Sequence, residues 1–213
     1  MNKDNIEWIF SNNLVKFEDS LKFMEERADE IALGKASSAI WLLEHFDVYT
    51  AGVSAKDEDL LAKNEIPVIK TNRGGKYTYH GPKMLIGYVM IDLKQFFAPE
   101  KPDIAKFVEF IENWVIKFLA NFGVEGFIRK GRVGIWVNED GEEKKIGAIG
   151  IKVKKWVSYH GFAINIDPDL EAFKNIVPCG ISEFGITSLK KMNANLEQDF
   201  HKILQESFYS ISH

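Results

Sequence analysis

Four short strings in this chain pair glycines with a reactive or hydrogen-bonding side chain: RGGKYTYHGP (Arg73–Pro82), KIGAIG (Lys145–Gly150), HGFAIN (His160–Asn165) and VPCG (Val177–Gly180). Glycine lets backbone approach a ligand closely, so each string suits the wall of a binding site. Cys179 is the only cysteine in 213 residues. A lone thiol is either a small buried hydrophobe or a nucleophile, and burial is the commoner fate. As a nucleophile it must act as thiolate, yet a free thiol of pKa about 8.5 is only a few per cent ionised at neutral pH. Lysines such as Lys145 most often sit in solvent, and His80 and His160, taken singly, read as structural or surface histidines. No one of these residues identifies a function.

Composition narrows the field. The sequence is 46% hydrophobic and 13% aromatic, enough for a substantial core, and its length suits a single domain over residues 1–213. One cysteine excludes an internal disulfide and fits a reducing compartment. No signal-peptide pattern opens the chain, and no apolar run approaches the roughly 18 residues of a membrane span, so a cytoplasmic protein is expected. A net charge of −4 gives no general reason to bind nucleic acid. The string Gly74-Gly75-Lys76-Tyr77 only superficially resembles a Walker A loop, because Lys70 and Tyr77 stand where Gly and Ser/Thr are needed. The five histidines are scattered, with no H-E-x-x-H and no cysteine pair. No metal or nucleotide cofactor is expected.

The elements that must position these strings are partly legible. Apolar spacing predicts a helix over Phe17–Ile31 and another from an Asp103 N-cap to Gly123, and short helices over Asp169–Ile176 and Leu196–Ile211. Strands are expected at Ser38–His45, Ile66–Asn72, Met84–Leu93, Val133–Glu139, Lys145–Val153 and Gly161–Asp167, with a hairpin turn at Glu139-Asp140-Gly141. The glycine-rich strings would then lie in loops between strands. Hairpin-paired strands with helices before, between and after them predict an α+β fold with a mixed or antiparallel sheet.

Taken together and in order, RGG-x-x-TYHGP, KIGAIG, HGFAIN and VPCGI resemble the lipoyl(octanoyl) transferase family, with LLEH (Leu42–His45) and ITSL (Ile186–Leu189) in support. The resemblance runs from about Trp41 to Leu189. It implies the α+β fold of biotin and lipoate protein ligase catalytic domains. It also implies transfer of an octanoyl group from octanoyl-acyl carrier protein to the lysine of lipoyl domains, those of 2-oxoacid dehydrogenases and the glycine cleavage H protein. Cys179 matches the family nucleophile and Lys145 the lysine that activates it. The acyl-binding contacts match Arg73, Gly74, Gly75, Lys76, Tyr77, Thr78, Tyr79 and His80, then Ala148, Ile149 and Gly150, then Gly161, Phe162 and Ala163, with His160 in support. The family usually continues HGPGQ; here Lys83 and Met84 follow Pro82, placing a bulky cation where glycine permits a tight turn.

This resemblance implies a thioester held on Cys179, no ATP, and an oxyanion hole near Gly180 or in the Gly74-Gly75 loop. The rival readings are an ATP-dependent lipoate ligase of the same fold, and a non-catalytic acyl-binding relative. Both protein substrates of the family are generally acidic. The basic residues between Arg129 and Lys155 form either a docking face for them, led by Lys152, Lys154 and Lys155, or a solvated hairpin of mixed charge.

Overall fold

The computed structural model describes residues 6–62, 65–177 and 184–211. Its elements in chain order are β1 (Glu7–Phe10), α1 (Phe17–Ala32), β2 (Ala39–Leu43), β3 (Val48–Ala51), β4 (Val68–Lys70), β5 (Tyr77–His80) and β6 (Met84–Met90). Then come α2 (Leu93–Phe97), α3 (Ile104–Ala120), β7 (Phe127–Arg129), β8 (Arg132–Glu139), β9 (Glu142–Lys154), β10 (Val157–Asn165), β11 (Gly185–Ile186) and α4 (Phe200–Ile211). The large sheet runs β1-β2-β6-β10-β9-β8-β7, with β11 also paired to β9; β4-β3-β5 make a second, three-stranded sheet. Only β1–β2 and β11–β9 in the large sheet are parallel, so the sheet is mixed, as expected from the sequence.

The runs AIWLL in β2 and MLIGYVM in β6 are apolar throughout because the large sheet is covered on both faces. Alternate side chains divide between two cores. Ile40, Leu42, Leu85, Val89, Phe162 and Ile164 pack with the α3 stripe of Phe107, Ile111, Trp114, Val115, Phe118 and Leu119, and with Leu204 and Phe208 of α4. Ala39, Trp41, Leu43, Ile86, Tyr88, Met90 and Ala163 face α1 and the small sheet. Asp103 caps α3 as expected, its carboxylate accepting from the N–H groups of Ala105 and Lys106. The Asp140-Gly141 corner has φ of 54° and 87°, which makes the β8–β9 turn a two-residue hairpin.

Several expectations shift. The strand expected over Met84–Leu93 stops at Met90, because the Asp92 carboxylate accepts from Lys94 and Gln95 N–H and starts α2. The last helix begins at Phe200 rather than Leu196, with Asp199 accepting from Lys202 N–H one turn in. The segment at Asp169–Ile176 forms a two-turn 3-10 helix, Leu170–Asn175. The glycine-rich strings are not in loops: KIGAIG lies within β9, HGFAIN within β10 and YTYH forms β5, leaving Arg73–Lys76 as a turn. Their glycines serve close approach between strands. A Cβ on Gly150 would stand 3.0 Å from the Gly74 carbonyl oxygen, and one on Gly161 would collide with the Gly87 carbonyl. The tight turn after Pro82 is kept with Lys83 at φ 62°, a conformation that costs a non-glycine residue on the order of 1 kcal/mol. Glu44 accepts the Lys83 N–H at 2.5 Å, and the Lys83 ammonium pairs with Asp167.

Candidate functional site

Strand β9 changes partners at Lys145. On one edge it pairs with β10 from Lys154 back to Gly147, then with β11 at Lys145 and Lys144. On the other it pairs with β8 up to Gly147. Beyond that point the edge is open to the Arg73–Lys76 turn, where Gly74 N–H donates to the Ile151 carbonyl at 3.0 Å. The ladder carries Lys145 inward, where it is 4% exposed, while Lys144 points out to Glu139 and Glu142. The Lys145 Nζ donates to the Val133 carbonyl at 2.7 Å and lies 5.7 Å from the centre of the Trp136 ring.

A cleft lies over the opposite end of the same strands. Arg73, Gly75, Lys76, Thr78, His80, Ala148, Ile149, Gly150, His160, Gly161, Phe162 and Ala163 line it, joined by Phe17 and Tyr88. A second, smaller void touches Lys145, Gly147, Asn165, Phe173 and Ile186, and shares Thr78 and Ala148 with the first. The two together trace a path from the buried histidines to the Lys145 amine. Period-two alternation divides the YTYH string: Thr78 and His80 face the cleft, whereas Tyr77 and Tyr79 are buried in the core beneath α1 and the small sheet. The Tyr79 hydroxyl is spent on Asp47. Tyr77, Tyr79 and Gly74 therefore support the wall rather than line it. The Gly74 N–H is also unavailable as an oxyanion donor, since Ile151 takes it.

Arg73 is buried and clips the turn to β3. Its guanidinium donates to Thr50 (carbonyl and Oγ1) and to the carbonyls of Gly74 and Lys76. The cleft floor holds three histidines. His45 Nδ1–H donates to the Val15 carbonyl at 2.8 Å, so its Nε2 accepts from the Tyr88 hydroxyl at 2.6 Å. His160 adopts φ 57° within β10, and its Nε2–H donates to the Asn72 amide oxygen at 3.3 Å. His80 Nδ1 is buried with no hydrogen-bond partner among the described residues. Burial pushes His45 down to about 4. It pushes His160 to about 3, with the Arg73 charge adding to the effect. His80 lies well below its ordinary value, chiefly through burial, then through His45, Arg73 and His160. The floor is therefore uncharged at neutral pH.

This has a consequence for stability. The unfolded chain takes up a proton on each histidine near pH 6.5, while the folded protein takes none until about 4 at His45 and about 3 at His160. The stability held in these neutral imidazoles is complete above pH 6.5 and is lost as pH falls toward 4, at up to about 1.4 kcal/mol per pH unit for each. Urea unfolding should show the midpoint falling steadily between pH 6.5 and 4.5, above the range where carboxylates titrate. A flat midpoint across that window would mean that the imidazoles are charged in the folded state.

Cys179 lies outside the described residues, but the chain on either side of it is held. Val177 N–H donates to the Asp59 carbonyl at 2.7 Å, Leu61 N–H to Asn175, and Leu60 bridges Ile176. Asp59 is itself buried and paired with Lys76, a residue of the cleft. On the far side Ile186 pairs with Lys145, and Thr187 N–H donates to the Lys145 carbonyl at 2.9 Å. The sequence reading missed Phe17, His45, Tyr88 and Asp59. A tyrosine inside the apolar run MLIGYVM was the available signal, since a buried hydroxyl needs a partner and His45 supplies it. Most of the basic residues between Arg129 and Lys155 are paired: Arg129 and Arg132 with Glu143 in the hairpin, and Lys154 and Lys155 with Asp29 of α1.

Among the described residues no helix is long and apolar enough to cross a membrane. An octanoyltransferase of Ehrlichia chaffeensis is 45% identical over 99% of this chain and 98% of its own length; one of Maricaulis maris is 48% identical over 96% and 90%. A bi-partite lipoate protein ligase of Thermoplasma acidophilum shares the fold at 14% identity, with a TM-score of 0.68 over 97% of this chain and 82% of its own. A biotin acetyl coenzyme A carboxylase synthetase from Helicobacter pylori superposes with a TM-score of 0.53 over 97% and 73%, at 10% identity. The family model for the lipoyl protein ligase A/B catalytic domain matches residues 16–208, and the chain belongs to that family.

Proposed function

We propose that this single-domain protein is an octanoyltransferase that moves an octanoyl group from acyl carrier protein to the lysine of a lipoyl domain, through a thioester on Cys179. The observation that carries the reading is the buried Lys145 amine at one end of a path lined by Thr78 and Ala148. The strand that follows the Cys179 segment pairs directly with this lysine. The names of the full-length relatives, at more than 40% identity, support transfer over ATP-dependent ligation.

The neutral Lys145 amine takes the proton of the Cys179 thiol, and the resulting ammonium stabilises the thiolate. Lowering a thiol pKa by about two units corresponds to roughly 2.7 kcal/mol of preferential stabilisation of the anion. The thiolate attacks the octanoyl thioester carbonyl, the carbon–sulfur bond to the carrier breaks, and Lys145 returns the proton to the departing thiolate. The lipoyl-domain lysine then attacks the enzyme thioester as a neutral amine. Its proton passes to Lys145 and on to the Cys179 sulfur as the amide forms. Thioester is exchanged for thioester and then for amide, so the last step is downhill without ATP. Lys145 is buried beside Trp136, where it carries the proton between the thiol and the leaving or attacking group. His80, His160, Tyr88 and Ala163 would face the acyl chain, with no charged imidazole among them.

The test compares donors. Octanoyl-acyl carrier protein without ATP should octanoylate a lipoyl domain, read as a mass shift on its lysine. Octanoate with ATP should not. Product from octanoate and ATP alone would make the protein a ligase.

A further inference from the structure

The peptide that joins Val133 to Gly134 faces Lys145, and its carbonyl accepts from the Lys145 Nζ at 2.7 Å. The strand is built irregularly at this point. The β8–β9 register slips between Ile135 and Trp136, so that Ile135 faces Gly147 while Trp136 faces Lys145. The extra residue, Ile146, lies in β9, and such a bulge re-aims a side chain, here that of Lys145. Gly134 has φ 121°, open to glycine and strained for any other residue. A Cβ there would stand 2.6 Å from the Gly147 carbonyl oxygen and 2.8 Å from Lys145 Nζ, and closer still to Lys145 Cε. The lysine side chain thus passes through the space that a side chain at position 134 would fill.

We propose that Gly134 is a positioning residue for Lys145: it leaves open the channel that the lysine side chain occupies and lets the Val133 carbonyl meet its amine. The inference rests on the reading of Lys145 as the proton carrier.

The experiment measures single-turnover acylation by octanoyl-acyl carrier protein, steady-state kcat and KM, and thermal stability in the full-length protein. Gly134→Ala should lower kcat by about a hundredfold with KM for the octanoyl donor little changed. The deciding readout is the combination with Lys145→Met: Gly134→Ala should not slow that variant's residual acylation further, because residues acting through one group are not additive. If Gly134→Ala alone does not fold, Lys145→Ala, which empties the channel, should restore its melting transition. A loss that persists undiminished in the Lys145→Met background, a folded Gly134→Ala protein with unchanged kcat, or an unfolded one that Lys145→Ala does not restore would overturn the proposal. Full turnover by Lys145→Met alone would instead overturn the role of Lys145 itself, and this inference with it.

Discussion

Lys145→Met is expected to lower turnover by about a thousandfold while leaving the protein folded. Loss of a positioned proton carrier costs roughly 10²- to 10⁴-fold, and here the same group also stabilises the thiolate. The fold should survive the change: methionine has a similar unbranched length, and leaving the Val133 carbonyl without its donor costs about 1–3 kcal/mol. Lys145→Arg separates the two roles. Arginine keeps the charge but does not give up its proton at neutral pH. It should therefore form the acyl-enzyme slowly and fail at amine transfer. Lys144 is the internal control: it lies on the outer face with Glu139 and Glu142 and should accept the same substitutions. Stopped-flow acylation and steady-state kcat, each beside a melting curve, check all three. Near-normal turnover by the arginine variant would leave only electrostatics to Lys145.

Cys179→Ser is expected to abolish turnover by at least about a thousandfold, because a serine hydroxyl is nearly isosteric with the thiol but far less acidic and ionises negligibly beside the same lysine. Its melting temperature should stay close to that of the parent. Incubation with the octanoyl donor should give an acyl adduct on the parent protein and none on the variant. An adduct persisting on another residue of the serine variant would remove Cys179 from the mechanism.

Most of the long elements were legible in the sequence because their burial is one-sided or complete. The α3 stripe from Phe107 to Leu119 has helical period, and Met84–Met90 is apolar on both faces because both faces are covered. Short elements were not. The strands Glu7–Phe10 and Phe127–Arg129 and the helix Leu93–Phe97 owe their existence to pairing and to the Asp92 cap, and so to neighbours that the local pattern does not name. Within the site, residue types and their order pointed to Cys179, Lys145 and the glycine-rich strings. What could not be read was which side of a strand each residue takes. Tyr77 and Tyr79 alternate with Thr78 and His80, and only the register with Thr50 and Val48 decides which pair meets the cleft. The bulge at Ile146 was invisible for the same reason: it is a slip between two strands, and each of them alone looks regular.

The central claim is that a covalent octanoyl-Cys179 intermediate lies on the path to the amide. Its most direct test is a two-step, ATP-free experiment. The protein is acylated with octanoyl-acyl carrier protein, separated from the donor, digested and mapped by mass spectrometry, and a parallel undigested sample is mixed with a lipoyl domain. The account predicts one octanoyl group, on Cys179, that passes to the lipoyl-domain lysine at least as fast as steady-state turnover. An acyl group on any other residue, no adduct without ATP, or an adduct that the lipoyl domain does not consume would contradict it.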